Sequence, residues 1–265
     1  MSEIQDFVSF TSQLIAAQRA IETQRADRLF EDPFAAKLAG TEAFTLLQPE
    51  KNIVSTQKGR PYIAVRTRFF DDFLISLASK FRQVVILGAG MDTRAFRISW
   101  YAQTHVYEID RKEVIAYKNE ILKNTSPKSD RHCIASDIKE SWCDLLVARG
   151  YRTDLPSVWL LEGLLMYLSE AEVHDLLSSI SNLTVAGSYL GADLVNIKAL
   201  EGDTEMKKHW RSGFDEPEKL LSAHGWKASV VQPGDEGANF GRYTNKLPPR
   251  TVPDVKRVFL ITATK

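Results

Sequence analysis

The chain has 265 residues, 44% hydrophobic and 26% charged, which is enough to bury a sizeable core in one large α/β domain or two small ones. Lysine plus arginine and aspartate plus glutamate both number 34, so the formal net charge is zero and no basic excess points to nucleic acid. The opening MSEIQDFVSF has no basic run before an apolar core, and the strongest apolar run, 158–168, is interrupted by Glu162. No signal peptide or membrane span is therefore expected, and the expected location is cytoplasmic.

In chain order, residues 4–26 place Phe7, Phe10, Leu14, Ala17 and Ile21 at three- and four-residue steps, the period of one helical face. Asp32-Pro33 predicts an N-cap with proline at the first helical position, the helix running to Leu38 and ending at Gly40. A loop with Gly59 and Pro61 leads to a third helix over 62–80, with Ile63, Phe69, Phe70, Phe73, Leu74 and Leu77 on its apolar face. The first 80 residues thus read as a helical cap ahead of any sheet.

The pattern then changes to short β-branched runs. Strands are predicted in the run 83–91, which ends in glycines, and over 105–110, 132–137, 157–163 and 189–195, separated by helical stretches at 111–123, 138–149 and 169–183. Ser169 and Glu172 form a capping-box pair at the start of the last of these helices. Alternation of strand and helix implies a parallel sheet. Two final strands, 226–232 and 256–264, have no room between them for a crossover helix and are expected as an antiparallel hairpin. Five parallel strands closed by such a pair make the seven-stranded, Rossmann-like methyltransferase layout. The whole chain, 1–265, is read as a single domain: cap 1–80, core 81–265, and a lid insertion at 198–220.

The chemistry gathers at strand ends. Gly88-Ala89-Gly90 follows the first strand, where glycine allows a tight turn and close approach of a ligand to the backbone. No third glycine completes Gly-x-Gly-x-x-Gly, which counts against a dinucleotide pyrophosphate. Asp110, 20 positions after Gly90, suits two ribose hydroxyls. Glu108 is assigned to the opposite side of that strand. Asp137 with Ile138 at the end of the third strand suits an adenine, by hydrogen bond and by packing. Glu162 sits alone in LLEGLLMYL, where a carboxylate is costly to bury unpaired; an amino-group partner and a structural ion pair both fit. Arg19 interrupts an alanine-rich face and Arg66 lies in RPYIAVRTRFF; each is either a solvated surface arginine or a planar fork that grips a carboxylate. Cys133 and Cys143 form no Cys-x-x-Cys, and no histidine pair has zinc-ligand spacing, so no metal is expected.

Together VVILGAGMDTRAFR, VYEID, SDIKE and LLEGLLMYL, with the upstream AAQRAIETQRADRLFEDPFAAKLAG, resemble the leucine carboxyl methyltransferase-like family, in its bacterial branch of small-molecule, polyketide-type O-methyltransferases. The resemblance covers about residue 10 to the end, and the chain lacks the long insertions of the protein-methylating branch. It implies S-adenosylmethionine as cofactor. Arg66 and Arg19 would hold its methionine carboxylate, Gly88 and Gly90 would line it, Asp110 would take the ribose, Asp137 and Ile138 the adenine, and Glu162 the methionine end. Tyr167 would sit near the acceptor, a small molecule that is free or tethered to a carrier, with neither nucleic acid nor membrane as partner. A carboxylate acceptor needs no base, whereas for a phenol the candidate bases are Tyr167, His209 and His105. Phe7, Phe10, Trp210 and Phe214 are expected to give the lid an apolar lining. Two rivals are an NAD-dependent oxidoreductase and a non-catalytic protein that binds a nucleoside cofactor.

Overall fold

The computed structural model describes residues 3–47, 61–201 and 207–265; Gly59 and the side chain of Phe7 lie outside what is described. Three helices come first: α1 (Glu3–Thr23), α2 (Ala35–Leu46) and α3 (Tyr62–Leu77). The sheet is built from β1 (Gln83–Leu87), β2 (His105–Asp110), β3 (Asp130–Ala135), β4 (Val158–Leu161), β5 (Tyr189–Val195), β6 (Lys227–Val231) and β7 (Val258–Thr264). Between strands lie α4 (Arg94–Arg97), α5 (Lys112–Leu122), α6 (Trp142–Ala148), α7 (Glu170–Leu183) and α8 (Pro217–Ser222).

The seven strands run in the order β3-β2-β1-β4-β5-β7-β6. All pairings among β1 to β5 are parallel, and β7 is antiparallel to both β5 and β6. The expected hairpin ending is therefore present. Strand alternation divides the core into two layers. Val84, Ile86, Val106, Val158 and Leu160 face the cap helices, together with Leu14, Leu38, Val65 and Leu74. Val85, Leu87, Ile109, Trp159 and Leu161 face the other side, against Trp142 of α6, Leu177 of α7 and Leu221 of α8. A strand buried on both faces needs the continuous apolar run that β1 and β4 carry.

Several expectations need correction. The α1 stripe is rotated: Leu14, Ala16, Ala17 and Ala20 are buried, whereas Ile21 is 49% exposed. Arg19 and Glu22 take inward positions instead, paired with Asp32 and Arg242. Gly40 does leave helical geometry, at φ 68°, but the chain resumes its helix to Leu46. Asp32 accepts hydrogen bonds from the N–H groups of Phe34 and Ala35, so it caps the turn as expected although the regular helix starts at Ala35. The third strand ends at Ala135, so Asp137 lies two residues beyond it, and the next helix begins only at Trp142. Glu108 and Asp110, two residues apart in a strand, share a face. Glu108 is paired there with Lys118 and Arg131, at 2.8 and 2.7 Å, whereas Asp110 is bonded by backbone N–H groups. The Ser169/Glu172 capping box is formed in full.

Candidate functional site

The carboxyl edge of the sheet converges on β1, β2 and β4. Gly88 and Gly90 adopt φ of 62° and 44°, left-handed values that suit glycine. A Cβ on Gly88 would stand 2.9 Å from Leu164 Cδ1, so the turn presents bare backbone to a crowded crevice. Asp110 lies across this turn. Its Oδ2 accepts from Gly90 N at 2.6 Å and its Oδ1 from Arg111 N at 2.7 Å. Burial pushes the Asp110 carboxyl above its usual pKa, and these two N–H groups pull it back in part. With one bond on each oxygen, about half of its four acceptor positions stay open for hydroxyl donors.

Ser136 N donates to Asp110 O at 3.0 Å, which brings the third strand end beside the second. The next residue, Asp137, is half-buried, and its Oδ1 accepts from Lys139 N at 3.0 Å. Ile138 packs against the core layer of α6 and α7. The expected trio of strand ends is thus together, with Asp137 carried on the loop after its strand.

Glu162, directly after β4, is paired with two arginines: Arg66 Nε at 2.9 Å and Arg94 Nη1 at 2.8 Å. Arg66 also reaches Asp193 of β5 at 3.1 Å, and Tyr62 donates to the same carboxylate at 2.8 Å. Burial works against the Arg66 charge, but Asp193 and Glu162 outweigh it and raise its pKa. Arg94 continues the chain of charges to Asp71 at 2.7 Å and to Asp92, and Arg97 grips Asp71 through both terminal nitrogens at 2.6 Å. Arg19 joins at the far end, with Asp32 at 2.9 Å and the Met91 carbonyl at 2.5 Å. The charged side chains linked in this way are all 13% exposed or less. Buried pairs repay their desolvation only when geometry and further hydrogen bonds are good, as they are here.

Arg19 is therefore engaged in bracing the glycine turn, while Arg66 and Glu162 face each other at the crevice. Sequence reasoning missed Arg94, Arg97, Asp71, Asp92 and Asp193. One signal was legible: Asp71 and Arg66 share the inward stripe of α3 with Ile63, Phe70 and Leu74.

Tyr167 follows in a short 3-10 turn, Leu165–Tyr167. Burial raises the pKa of its phenol, opposed by the nearby polar groups of Trp210 and Thr11 and by the Arg66 charge. Trp210 Nε1 is itself buried and meets no hydrogen-bond geometry among the described residues. Thr11 and its neighbour Ser12 on α1 thus flank the crevice, since Ser12 Cβ lies 3.1 Å from the Cβ position of Gly90. The segment after β5 folds back over the same turn: Arg211 N donates to Met166 O at 2.7 Å and Ser212 Oγ to Leu165 O at 3.2 Å. Trp210 packs with Tyr167 and Met166, whereas Phe10 and Phe214 join the two main core layers. His209 is half-buried in a turn at Lys207–His209. His105 is excluded as a base because it opens β2, at the end opposite Asp110.

A seven-stranded sheet in this order, with a glycine turn after β1 and an acid closing β2, defines the Rossmann-like class I methyltransferase fold. A crystal structure of a provisionally named methyltransferase from Thermobifida fusca YX shares it, with a TM-score of 0.59 at 15% identity over 92% of this chain and 96% of that one. The sequence profile of the leucine carboxyl methyltransferase family matches residues 12–181. A provisionally named S-adenosyl-L-methionine-dependent methyltransferase of Parafrankia sp. is 35% identical over 80% of this chain and 74% of its own length. One from Mycobacteroides abscessus is 34% identical over 91% of this chain and 90% of its own. The chain belongs to the leucine carboxyl methyltransferase family, and it is a methyltransferase.

Proposed function

We propose that this member of a family of S-adenosylmethionine-dependent methyltransferases methylates an oxygen of a small molecule with an apolar body, with a carboxylate as the favoured acceptor. The residues fit the cofactor. Asp110 retains acceptor positions for ribose hydroxyls, Gly88 offers backbone without a Cβ, and Asp137 with Ile138 supplies an acceptor beside an apolar surface. Arg66, and less directly Arg19, would answer the methionine carboxylate, and Glu162 the amino group.

Bound there, S-adenosylmethionine supplies a methyl group on a sulfonium sulfur, an already activated leaving group. The chain's part is then alignment and exclusion of water. Trp210, Met166 and Tyr167 form an apolar wall with a polar phenol tip beside the crevice. The observation that carries the carboxylate reading is the condition of the ionisable groups. Arg66 and Arg94 hold Glu162, Arg66 holds Asp193, and burial raises the pKa of the Tyr167 phenol further from neutrality. A carboxylate is nucleophilic at neutral pH without losing a proton. A phenol would need a base, typically worth ~10²–10⁴-fold. Polyketide-type aromatic acids, free or carrier-tethered, are suitable first acceptors.

Calorimetric titration with S-adenosylmethionine, S-adenosylhomocysteine and NAD is the first test, followed by matched panels of aryl carboxylates and phenols. Binding of the first two ligands and formation of methyl esters are expected. Methyl ethers as the sole product would replace the carboxylate with a hydroxyl acceptor. Binding of NAD alone would overturn the reading.

A further inference from the structure

At the edge of the sheet opposite the crevice, three side chains converge that no methyl-transfer step uses. His105 opens β2 and Asp130 opens β3, and the two are direct partners in the parallel ladder. His132, two residues along β3, pairs with Tyr107 and lies on the same face as Asp130. Register alone therefore stacks these side chains on one surface. The result is a compact triangle. His105 Nδ1 lies 3.1 Å from His132 Nε2 and 2.9 Å from Asp130 Oδ2, and His132 Nε2 lies 3.2 Å from the same oxygen.

Each corner atom can offer a lone pair to a common centre, the imidazole nitrogens in the tautomer that leaves them unprotonated. The imidazole protons cannot satisfy every edge at once, whereas one cation at the centre accepts from all three atoms. In tetrahedral zinc sites, bond lengths of about 2.0–2.1 Å place neighbouring ligand atoms about 3.3 Å apart. The observed separations need only a few tenths of an ångström of widening. The imidazoles are also held in place: the Tyr107 ring stacks on His132 at 4.9 Å and 20° and on His105 at 6.2 Å and 25°. Tyr107 is fully buried against Tyr151, so this backing is rigid. Chain spacing concealed the group, because the two histidines are 27 residues apart.

We propose that His105, Asp130 and His132 bind one divalent transition-metal ion of the zinc type, with water completing the coordination. Two imidazoles and a carboxylate suit zinc, and also nickel or copper; they do not suit magnesium or calcium, which take oxygen ligands. The ion would clip β3, the edge strand, to β2. His105 and Asp110 are five residues apart in an extended strand, so the ion would sit about 16 Å from the methyl-transfer crevice. Its role is therefore structural.

The test uses the tag-free full chain, stripped with chelator and titrated with Zn²⁺ against a chromogenic competitor. One site is expected, together with a rise in thermal midpoint on adding Zn²⁺. His105→Gln and His132→Gln, which keep a hydrogen-bonding side chain, should each weaken Zn²⁺ at least tenfold and remove the thermal shift. Both variants should bind S-adenosylhomocysteine as the wild type does, which confirms that they are folded. Equal Zn²⁺ affinity in the wild type and the double variant would overturn the proposal. Stabilisation by Mg²⁺ as large as that by Zn²⁺ would overturn it too.

Discussion

Replacing Asp92 with asparagine tests the buried charge chain at one link without removing a side chain. Asp92 Oδ1 accepts from Arg94 N at 2.6 Å, and its other oxygen meets Arg94 Nη1. Burial alone would raise its pKa, but Arg94, Lys118 and Arg97 outweigh burial and bring it from 3.8 down to about 2. At about 1.4 kcal/mol per pH unit, this corresponds to about 2 kcal/mol of stability at pH 7. Because the folded pKa is depressed, the contribution is complete above the unfolded value of 3.8 and fades as pH falls through about 2. About half should remain at pH 3. Asparagine keeps the bond from Arg94 N, and Arg94 keeps Asp71 and Glu162, so the full penalty of about 3–5 kcal/mol for an orphaned buried charge is not expected. Urea unfolding followed by tryptophan fluorescence reads the difference. The midpoint of Asp92→Asn should fall by roughly 0.5–1 M at pH 7, and by about half that at pH 3. Equal midpoints at pH 7, or a difference that does not shrink at pH 3, would refute the electrostatic account.

Four further outcomes are expected. Asp110→Ala should weaken S-adenosylhomocysteine at least tenfold by calorimetry, about 1.4 kcal/mol; unchanged affinity in the folded variant would remove Asp110 from the ribose subsite. Gly88→Ala should cost about 1–2 kcal/mol in thermal or urea unfolding from its left-handed backbone alone, and cofactor affinity should fall as Leu164 is displaced. Tyr167→Phe should change turnover or acceptor KM while cofactor affinity stays within about twofold, and a collapse of cofactor binding would move Tyr167 to the other subsite. Ser169→Ala removes the capping box of α7 and should cost about 1 kcal/mol, read by chemical unfolding.

Much of the fold was legible because the parallel strands are buried on both faces. QVVIL and VWLL can hardly be anything but central strands, and β5 matched its expected bounds, 189–195. The strand that slipped, β3, is an edge strand with a mixed burial pattern, so its sequence lacks that constraint. Asp110 was readable from its spacing to the glycines, since a strand end and the preceding turn are local geometry. The charge chain was not readable. Arg66 meets Asp193 across 127 positions and Arg94 meets Asp71 across 23. Along the chain these residues resemble solvated surface charges, and only packing of cap on sheet turns them inward. Glu108 and Asp110 share a face by the two-residue period of β2, so their different partners come from packing and not from alternation.

The same chain of charges determines what can be cut from this protein. A fragment beginning at residue 81 would retain Arg94, Arg97, Glu162 and Asp193 but lose Asp71, Asp32 and Arg66. Its exposed sheet face would carry half-neutralised charges as well as bare leucine and valine. A shortened core is therefore no simplified version of the enzyme for binding or structural work.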